Sequence, residues 1–210
     1  MEYGRNVFIN CPFDVEYQPL FRAVVFAVLD YGLYPPCALE RDDGSEVRIE
    51  KIRRIVAESQ FAIHDISRTE LDDETGLPRF NMPFELGIFM GAKWFGGDEH
   101  QRKSCVIFDR ERYRYQAFCS DIAGQDIRAH RCEEREVIRG VRNALRTWCP
   151  ERELPGAAVT FERYLRFDAA LMQLADRMGL DANDLSFSDF TSLVGEWLRV
   201  NTPAPVAVAA

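Results

Sequence analysis

The chain has 210 residues, enough for a domain with a hydrophobic core of ordinary size. Its formal net charge is −8, from 34 acidic and 26 basic residues, and this balance argues against a dedicated nucleic-acid-binding protein. The first residues show no basic segment followed by an apolar stretch, and the longest apolar run, residues 23–29, is too short to cross a bilayer. We therefore expect a cytoplasmic protein that does not bind a membrane.

Strand-like and helix-like segments alternate along residues 1–150. The predicted strands are residues 6–11, 33–39, 61–65, 104–108 and 126–129. The predicted helices are residues 17–31, 45–60, a segment that opens near Pro83, and residues 133–148. Strands separated by helices form a parallel sheet that is covered by helices on both faces. We predict a flavodoxin-like three-layer α/β fold with a C-terminal helical extension.

The extension is predicted over residues 151–202, with amphipathic helices at 161–178 and 187–200. Two such helices match the pattern of a helix-turn-helix. From Glu151 onward, however, nine acidic residues oppose five arginines, which disfavours contact with DNA phosphates. We expect these helices to form a packing surface or the interface of a homo-oligomer. Residues 203–210 are predicted to be a disordered tail.

The cysteines and histidines show no metal-binding pattern. Six cysteines are spread along the chain without a CxxC pair or another spacing typical of metal ligands. Only His64, His100 and His130 are available to join them around a metal. The sequence therefore predicts no metal site and no bound cofactor.

Residues 61–92 carry the strongest functional signal. An apolar strand ends at Asp65, a polar loop follows, and Pro83 is suited to the first turn of the next helix. Glu85 then lies near the helix N-terminus, where the helix dipole keeps a carboxylate ionised. Because ligands bind at the carboxyl ends of the strands in open α/β sheets, Asp65 and Glu85 are predicted to be catalytic residues of one crevice. Two glycines are predicted to let the helix backbone approach the sheet closely: Gly87 and Gly91.

The same residues also have structural interpretations. If Met82 is the N-cap, Glu85 lies at position N3 and can close a capping box. Asp65 can instead turn the chain after a strand. His64, beside a buried apolar run, has the pattern of a structural histidine.

Other polar or turn-forming residues follow the same strand ends or precede the helix. The predicted substrate-binding residues are Asn10, Pro12, Phe13, Asp14, Ser67, Arg68, Arg79 and Asn81. Four arginines are candidates for phosphate binding, with solvated surface as the alternative: Arg41, Arg48, Arg68 and Arg79. Tyr113, Tyr115 and Gln116 either stack on a base or pack their loop onto the domain.

Several enzyme classes lose support because their motifs are absent. The chain has no GxxxxGK[ST], no GxGxxG after the first strand and no GxSxG, which argues against nucleoside triphosphatases, dinucleotide oxidoreductases and α/β-hydrolases. The acids and lysine expected of a response-regulator receiver are also missing. Carboxylates and arginines without a metal-ligand set favour chemistry at a glycosidic bond, where a carboxylate attacks the anomeric carbon or stabilises an oxocarbenium-like charge. Glu85 would take that role, and Asp65 would orient ribose hydroxyls or relay a proton.

At these positions, the chain resembles the superfamily that joins nucleoside 2-deoxyribosyltransferases and TIR domains. Phe8-Ile9-Asn10-Cys11-Pro12-Phe13 is similar to the first strand and substrate loop of the transferases. Ala62-Ile63-His64-Asp65 is similar to their strand that ends in aspartate. Glu85-Leu86-Gly87 with Gly91-Ala92 resembles their ExGxA helix, which carries the nucleophilic glutamate. Val7-Phe8-Ile9-Asn10 resembles the first strand of TIR domains, whose NAD-cleaving members have a catalytic glutamate on the corresponding helix.

The resemblance covers about residues 5–148 and implies cleavage or transfer at an N-glycosidic bond. Asn81-Met82-Pro83-Phe84 replaces the acid-glycine-threonine stretch of the transferases, so the substrate stays open between a nucleoside, a nucleotide and NAD. Bacterial relatives of both groups act in phage defence, which the resemblance implies as a role here. The alternative is a module without catalysis that senses a nucleotide or signals through TIR-like assembly.

Overall fold

The computed structural model describes residues 3–40, 43–71 and 75–201. Arg41 and the predicted tail at 203–210 lie outside these described residues. The strands are β1 (Val7–Asn10), β2 (Phe61–Asp65), β3 (Ser104–Asp109) and β4 (Ile127–Ala129). The helices are α1 (Gln18–Asp30), α2 (Arg48–Glu58), α3 (Asn81–Phe95), α4 (Asp98–Gln101), α5 (Glu134–Trp148), α6 (Ala157–Arg177) and α7 (Phe187–Asn201).

The predicted parallel α/β fold is confirmed. The four strands form one sheet in the order β1-β2-β3-β4, and each neighbouring pair is parallel. Every residue of β1 and β2 is buried, which explains their continuous apolar sequences, since strands covered on both faces need no polar alternation. Because the strands are parallel, their carboxyl ends meet at one edge of the sheet, and Asn10, Asp65 and Asp109 end three of them.

The second predicted strand, residues 33–39, is wrong as a strand. This segment makes only two isolated parallel bridges along the outer edge of β1, between Asn6 and Tyr34 and between Ile9 and Cys37. The two prolines in the segment have no backbone N–H to donate, so a regular ladder is interrupted there. The segment nevertheless lies where the edge strand of a flavodoxin-like sheet is expected.

Helices cover both faces of the sheet. Val7 and Ile9 of β1 pack into a large cluster that also contains buried residues of α1, α5, α6 and α7. Phe8 points to the other face, where it packs against residues of α2 and Phe89 of α3. Alternate strand residues therefore belong to different cores, as the pleat of a strand requires. No helix within the described ranges is long and apolar enough to cross a membrane.

The C-terminal helices belong to the larger core. Phe26 of α1 stacks on Phe167 of α6, with the ring centroids 5.3 Å apart, and its ring lies 5.8 Å from that of Trp197 on α7. Arg163 of α6 forms a buried ion pair with Asp30 at the end of α1, over 2.8 Å. The extension thus covers the outer side of α1.

The prediction that Gly87 and Gly91 let α3 approach the sheet is wrong. Gly87 is exposed, and a Cβ atom added to either glycine would meet no heavy atom within 4 Å. The close approach occurs instead at Gly140 of α5, where an added Cβ would lie 2.5 Å from the ring of Phe108 on β3. Gly140 is therefore the glycine that helix–sheet packing requires.

Candidate functional site

Glu85 does not cap α3. The N-cap of this helix is Phe80, which makes no side-chain cap hydrogen bond, so Glu85 is the fifth helical residue. The capping-box interpretation, which needed Met82 at the N-cap, is wrong. Glu85 is only 5 % exposed. A role in capping α3 therefore does not explain why Glu85 is buried.

The electrostatic surroundings of Glu85 also differ from the prediction. Burial raises the pKa of Glu85, while the nearby guanidinium of Arg48 opposes that shift. Nη2 of Arg48 lies 3.5 Å from Oε1 of Glu85, and the Arg48 side chain is 57 % exposed. The helix dipole acts mainly on the first turn, and at Glu85, the fifth helical residue, desolvation has the larger influence on the pKa. Arg48, a predicted phosphate ligand, contacts this carboxylate instead.

Asn10 connects β1 to both β2 and α3. Its side-chain Nδ2 donates one hydrogen bond to the carbonyl oxygen of Met82 and lies 2.9 Å from Nδ1 of His64, also within hydrogen-bond distance. His64 is fully buried between Phe8 and Phe89, and burial lowers its pKa to about 3. This is the environment of a structural histidine. Asn10 therefore fixes the start of α3 relative to the sheet.

Asp65 is fully buried among donors from three parts of the chain. The hydroxyl of Tyr17 donates to Oδ2 over 2.7 Å, and the backbone N–H of Ser67 donates to Oδ1 over 2.9 Å. Nε2 of His130 lies 3.1 Å from Oδ2 without hydrogen-bond alignment. The Cys132 N–H donates to Nδ1 of His130, which leaves the proton of a neutral ring on Nε2, beside Asp65. Asp65 thus turns the chain after β2, anchors Tyr17 through a hydrogen bond and lies beside the imidazole of His130.

Tyr17 and His130 are partners of Asp65 that no motif in the sequence indicates. In the sequence, Tyr17 only begins a predicted helix, and His130 is only a possible metal ligand. The available signal was position, since His130 directly follows β4 and Tyr17 lies shortly after β1. Both therefore occur at the carboxyl edge of the sheet.

Cys11 places a thiol at the carboxyl edge of the sheet. Cys11 directly follows β1 and is buried. Its pKa is raised well above the usual value, first by burial and then by nearby negative charges that include Asp65 and Glu85. Burial and these charges keep the Cys11 thiol protonated at neutral pH.

Asp14 and Arg68 bind each other. Arg68 donates from Nε and Nη2 to the two oxygens of Asp14, over 3.1 and 2.7 Å, and Nη2 also pairs with Glu16. Burial acts to raise the pKa of Asp14, but the hydrogen bonds from Arg68 and from the Tyr17 N–H outweigh it and hold this pKa below its usual value. The charge of Arg68 is thus compensated within the protein.

A cleft of about 450 Å³ brings several predicted substrate-binding residues together. Asp14, Arg68 and Arg79 line it, together with Glu16 and Glu70. Ser67 lines a separate cavity of about 200 Å³, which it shares with Arg68, Tyr17 and His130 among others. Four of the predicted residues are therefore grouped around the loops after β1 and β2.

The other predicted residues have different surroundings. Phe13 lines a small cavity of about 90 Å³ beside Phe187 and Phe190 at the start of α7. Pro12 is buried, and Asn81 is exposed at the first position of α3. Pro12 therefore supports the fold, whereas Asn81 is accessible to solvent at the start of the helix that carries Glu85.

Arg114 links the loops after β2 and β3. Its Nε and Nη2 donate to Oδ1 of Asp109 over 2.9 and 2.7 Å, and Nη2 also donates to the carbonyl oxygen of Ser67 over 2.6 Å. Burial raises the pKa of Asp109, and the hydrogen bonds from Arg114 oppose that shift. The loop that carries Ser67 and Arg68 is therefore held in place from the β3 side.

Within the described part of the chain, no group of three or more His, Cys, Asp or Glu side chains is arranged to hold a metal ion. Among the described residues, the groups at this edge include carboxylates, guanidinium groups, the buried hydroxyl of Tyr17 and the buried imidazoles of His64 and His130. Comparison with known proteins does not assign the chain to a family: no family model matches it, and no curated protein matches it.

Proposed function

We propose that this protein cleaves or transfers the N-glycosidic bond of a nucleoside, a nucleotide or an NAD-like small molecule, with Glu85 acting at the anomeric carbon. The observation that carries the proposal is the burial of Glu85 without a capping role. Its side chain is 7 % exposed, and the ion pair it makes is with the mostly exposed Arg48. Burying a carboxylate costs stability, and such costs are concentrated at functional sites.

The raised pKa of Glu85 suits glycosidic chemistry. A carboxyl group whose pKa is raised by burial holds a proton longer than a solvated one, and after ionisation it is a poorly hydrated, reactive anion. In the proposed reaction, Arg48 moves away from Glu85 as substrate enters. The ionised carboxylate then attacks the anomeric carbon, or stabilises the positive charge that develops there, while the N-glycosidic bond breaks and the base leaves with the bonding electron pair. Water, in hydrolysis, or an acceptor base, in transfer, then bonds to the anomeric carbon and frees Glu85.

Asp65 has a positioning role in this proposal. It is fully buried, and Tyr17 and Ser67 already donate hydrogen bonds to it. A buried carboxylate that already accepts hydrogen bonds from the protein is better suited to orienting neighbouring side chains than to contacting a substrate. We assign to Asp65 the orientation of Tyr17 and His130, and to the cleft of Asp14, Arg68 and Arg79 the sugar or phosphate of the substrate.

The test is the release of free base by the full chain. NAD, nicotinamide mononucleotide and a panel of ribonucleosides and deoxyribonucleosides, with and without an acceptor base, are incubated with the protein and separated by chromatography. Wild-type protein is expected to release or exchange a base, and Glu85→Gln is expected to lower that rate about 100-fold or more. Glu58→Gln, at an exposed position of α2, is the matched control and keeps the wild-type rate.

Urea unfolding of the three proteins accompanies the assay, so that loss of activity is separated from loss of folding. A Glu85→Gln variant that folds cooperatively and retains full activity would falsify the assignment of Glu85. Absence of base release by wild-type protein on every substrate contradicts the proposed reaction itself.

A second candidate is a nucleotide-sensing module without catalysis. Two carboxylates favour this non-catalytic function because they already accept hydrogen bonds from the protein. Asp65 accepts from Tyr17 and Ser67, and Asp14 accepts from Arg68. This function predicts no base release and a rise in melting temperature when a nucleotide is added. Homo-oligomer formation through α6 and α7, or TIR-like assembly, is tested separately by light scattering at several protein concentrations.

A further inference from the structure

A cavity of about 470 Å³ lies at the β4 edge of the sheet, away from Glu85. The loop after β3, strand β4 and the first half of α5 form its walls. A volume of this size is typical of small-molecule sites in proteins, which range from about 300 to 1,000 Å³. The cavity therefore has room for an organic ligand.

The walls of this cavity are rich in arginine. Four arginines line it: Arg112, Arg128, Arg131 and Arg139. Arg139 pairs with Glu136, and Arg128 donates to the carbonyl oxygen of Gly140. The side chains of Arg112 and Arg131 make no hydrogen bond or ion pair with any described residue. In a chain with a net charge of −8, this concentration of positive charge is a local exception.

The acidic residues of the cavity compensate only part of that charge. Glu136 is already paired with Arg139, which leaves Asp126 as the other carboxylate on the wall. The guanidinium groups of Arg112, Arg128 and Arg131 therefore outnumber the carboxylate that faces them. An anionic ligand would balance this excess.

Backbone strain marks the same cavity. Among the described residues, three that are not glycine have a positive φ angle: Tyr113 at 64°, Arg131 at 53° and Cys132 at 59°. Tyr113 and Arg131 both line the cavity, on two different loops, and Cys132 follows Arg131. Left-handed conformations of such residues are unfavourable and cluster at ligand clamps. This is a second observation, independent of charge, that points to a ligand.

We propose that this cavity binds a phosphate monoester that carries a planar ring. Arg112 and Arg131 would hold the phosphate, because the guanidinium fork matches phosphate oxygens and because neither side chain is paired with another described residue. Arg128 adds a positive charge to the wall. Tyr113 is 68 % exposed at the rim, and its ring is available to stack on the planar part of the ligand. This site goes beyond the proposed reaction and does not depend on Glu85.

The test is titration calorimetry of the full chain with adenosine 5′-monophosphate, adenosine and inorganic phosphate as probes. We expect the monophosphate to bind at least tenfold more tightly than either of the other two. Arg112→Gln and Arg131→Gln should each weaken that binding about tenfold or more. Arg166→Gln, an exposed arginine of α6 outside the cavity, is the matched control and should not change it. Tyr113→Leu should weaken binding of the monophosphate but not of inorganic phosphate.

Glu85→Gln separates this site from the candidate catalytic crevice. The proposal predicts that this variant binds the monophosphate as wild-type protein does, whatever the outcome of the base-release assay. Loss of binding in Glu85→Gln with retention in both arginine variants places the ligand at the crevice and overturns the proposal. Absence of monophosphate binding by wild-type protein, or equal affinity for adenosine, also overturns it. Circular dichroism checks each variant, and the two arginine substitutions provide independent readings if one of them perturbs folding.

Discussion

The Tyr17 hydroxyl donates a 2.7 Å hydrogen bond to Oδ2 of Asp65, and both groups are buried. Burial, followed by the charge of Asp65, raises the pKa of Tyr17 well above its usual value, so this hydroxyl stays protonated at neutral pH. The bond joins the start of α1 to the end of β2. It therefore sets the distance between two loops that carry predicted substrate-binding residues.

Tyr17→Phe removes this donor and leaves Asp65 with the Ser67 N–H and His130. A buried acceptor that loses a hydrogen bond costs roughly 1–3 kcal/mol, and the free energy of unfolding should fall by that amount. Urea denaturation followed by circular dichroism measures it. Tyr113→Phe, at an exposed position, is the control and should stay within about 0.5 kcal/mol of wild type. Equal effects of the two substitutions would contradict the structural role of the Tyr17 hydroxyl.

His64 should make the protein sensitive to acid. Burial lowers its pKa from 6.5 to about 3, so below pH 6.5 the unfolded chain binds a proton that the folded chain does not. The contribution of His64 to the free energy of unfolding is therefore complete above pH 6.5 and is lost as pH falls towards about 3. The slope of this loss is at most ~1.4 kcal/mol per pH unit. His64→Gln should show a shallower fall in unfolding free energy between pH 6.5 and 4. Parallel plots of unfolding free energy against pH for wild type and His64→Gln would show that His64 does not cause the sensitivity to acid.

Glu85 should give the opposite dependence on pH. Its pKa is raised in the folded protein, so the folded chain keeps a proton that the unfolded chain has lost. The stability associated with the protonated form is present below the unfolded pKa and is lost as pH rises through the folded pKa. The unfolding free energy of Glu85→Gln minus that of wild type should therefore increase from pH 4 to pH 7. The same difference for Glu58→Gln is expected to stay flat, and a flat difference for Glu85→Gln would exclude a raised pKa.

Two glycine substitutions should have opposite effects on stability. Gly140→Ala places a Cβ atom 2.5 Å from the Phe108 ring, and such overpacking costs about 1–3 kcal/mol. Gly87→Ala meets no heavy atom within 4 Å and should gain up to about 1 kcal/mol from the lower entropy of the unfolded chain. Thermal unfolding of both variants measures the contrast. Destabilisation by Gly87→Ala would restore the prediction that this glycine packs against the sheet.

The parallel sheet could be predicted from the sequence because its signals are local. The buried runs that end at Asp65 and Asp109 are continuous and apolar, and helical periodicity separates them. The segment at 33–39 does not form the regular strand that its apolar residues predict, because its prolines interrupt the hydrogen-bond ladder. The strands and helices of the sheet domain were thus predictable, but the irregular pairing of residues 33–39 at the edge of the sheet was not.

The surroundings of the candidate site were less predictable because they depend on tertiary packing. The cap of α3 lies at Phe80, which carries no capping side chain, so the sequence offered no signal for that boundary. The rotation of α3 decides that Glu85 faces inward and Gly87 outward, and that rotation follows from contacts across the whole face. The contacts of Tyr17 and His130 with Asp65 join residues 48 and 65 positions apart in the chain.

The packing of Phe26 against α6 and α7 places the C-terminal helices in the same hydrophobic cluster as one face of the sheet. Without them, the outer side of α1 would expose aromatic surface to water, and the helix that follows Tyr17 would lose its cover. Local unfolding of α6 or α7 would then reach Asp65 through Tyr17, although neither helix contributes a side chain to Asp65. We therefore expect loss of α6 and α7 to destabilise the carboxyl edge, although these helices lie more than 80 residues from Asp65 in sequence.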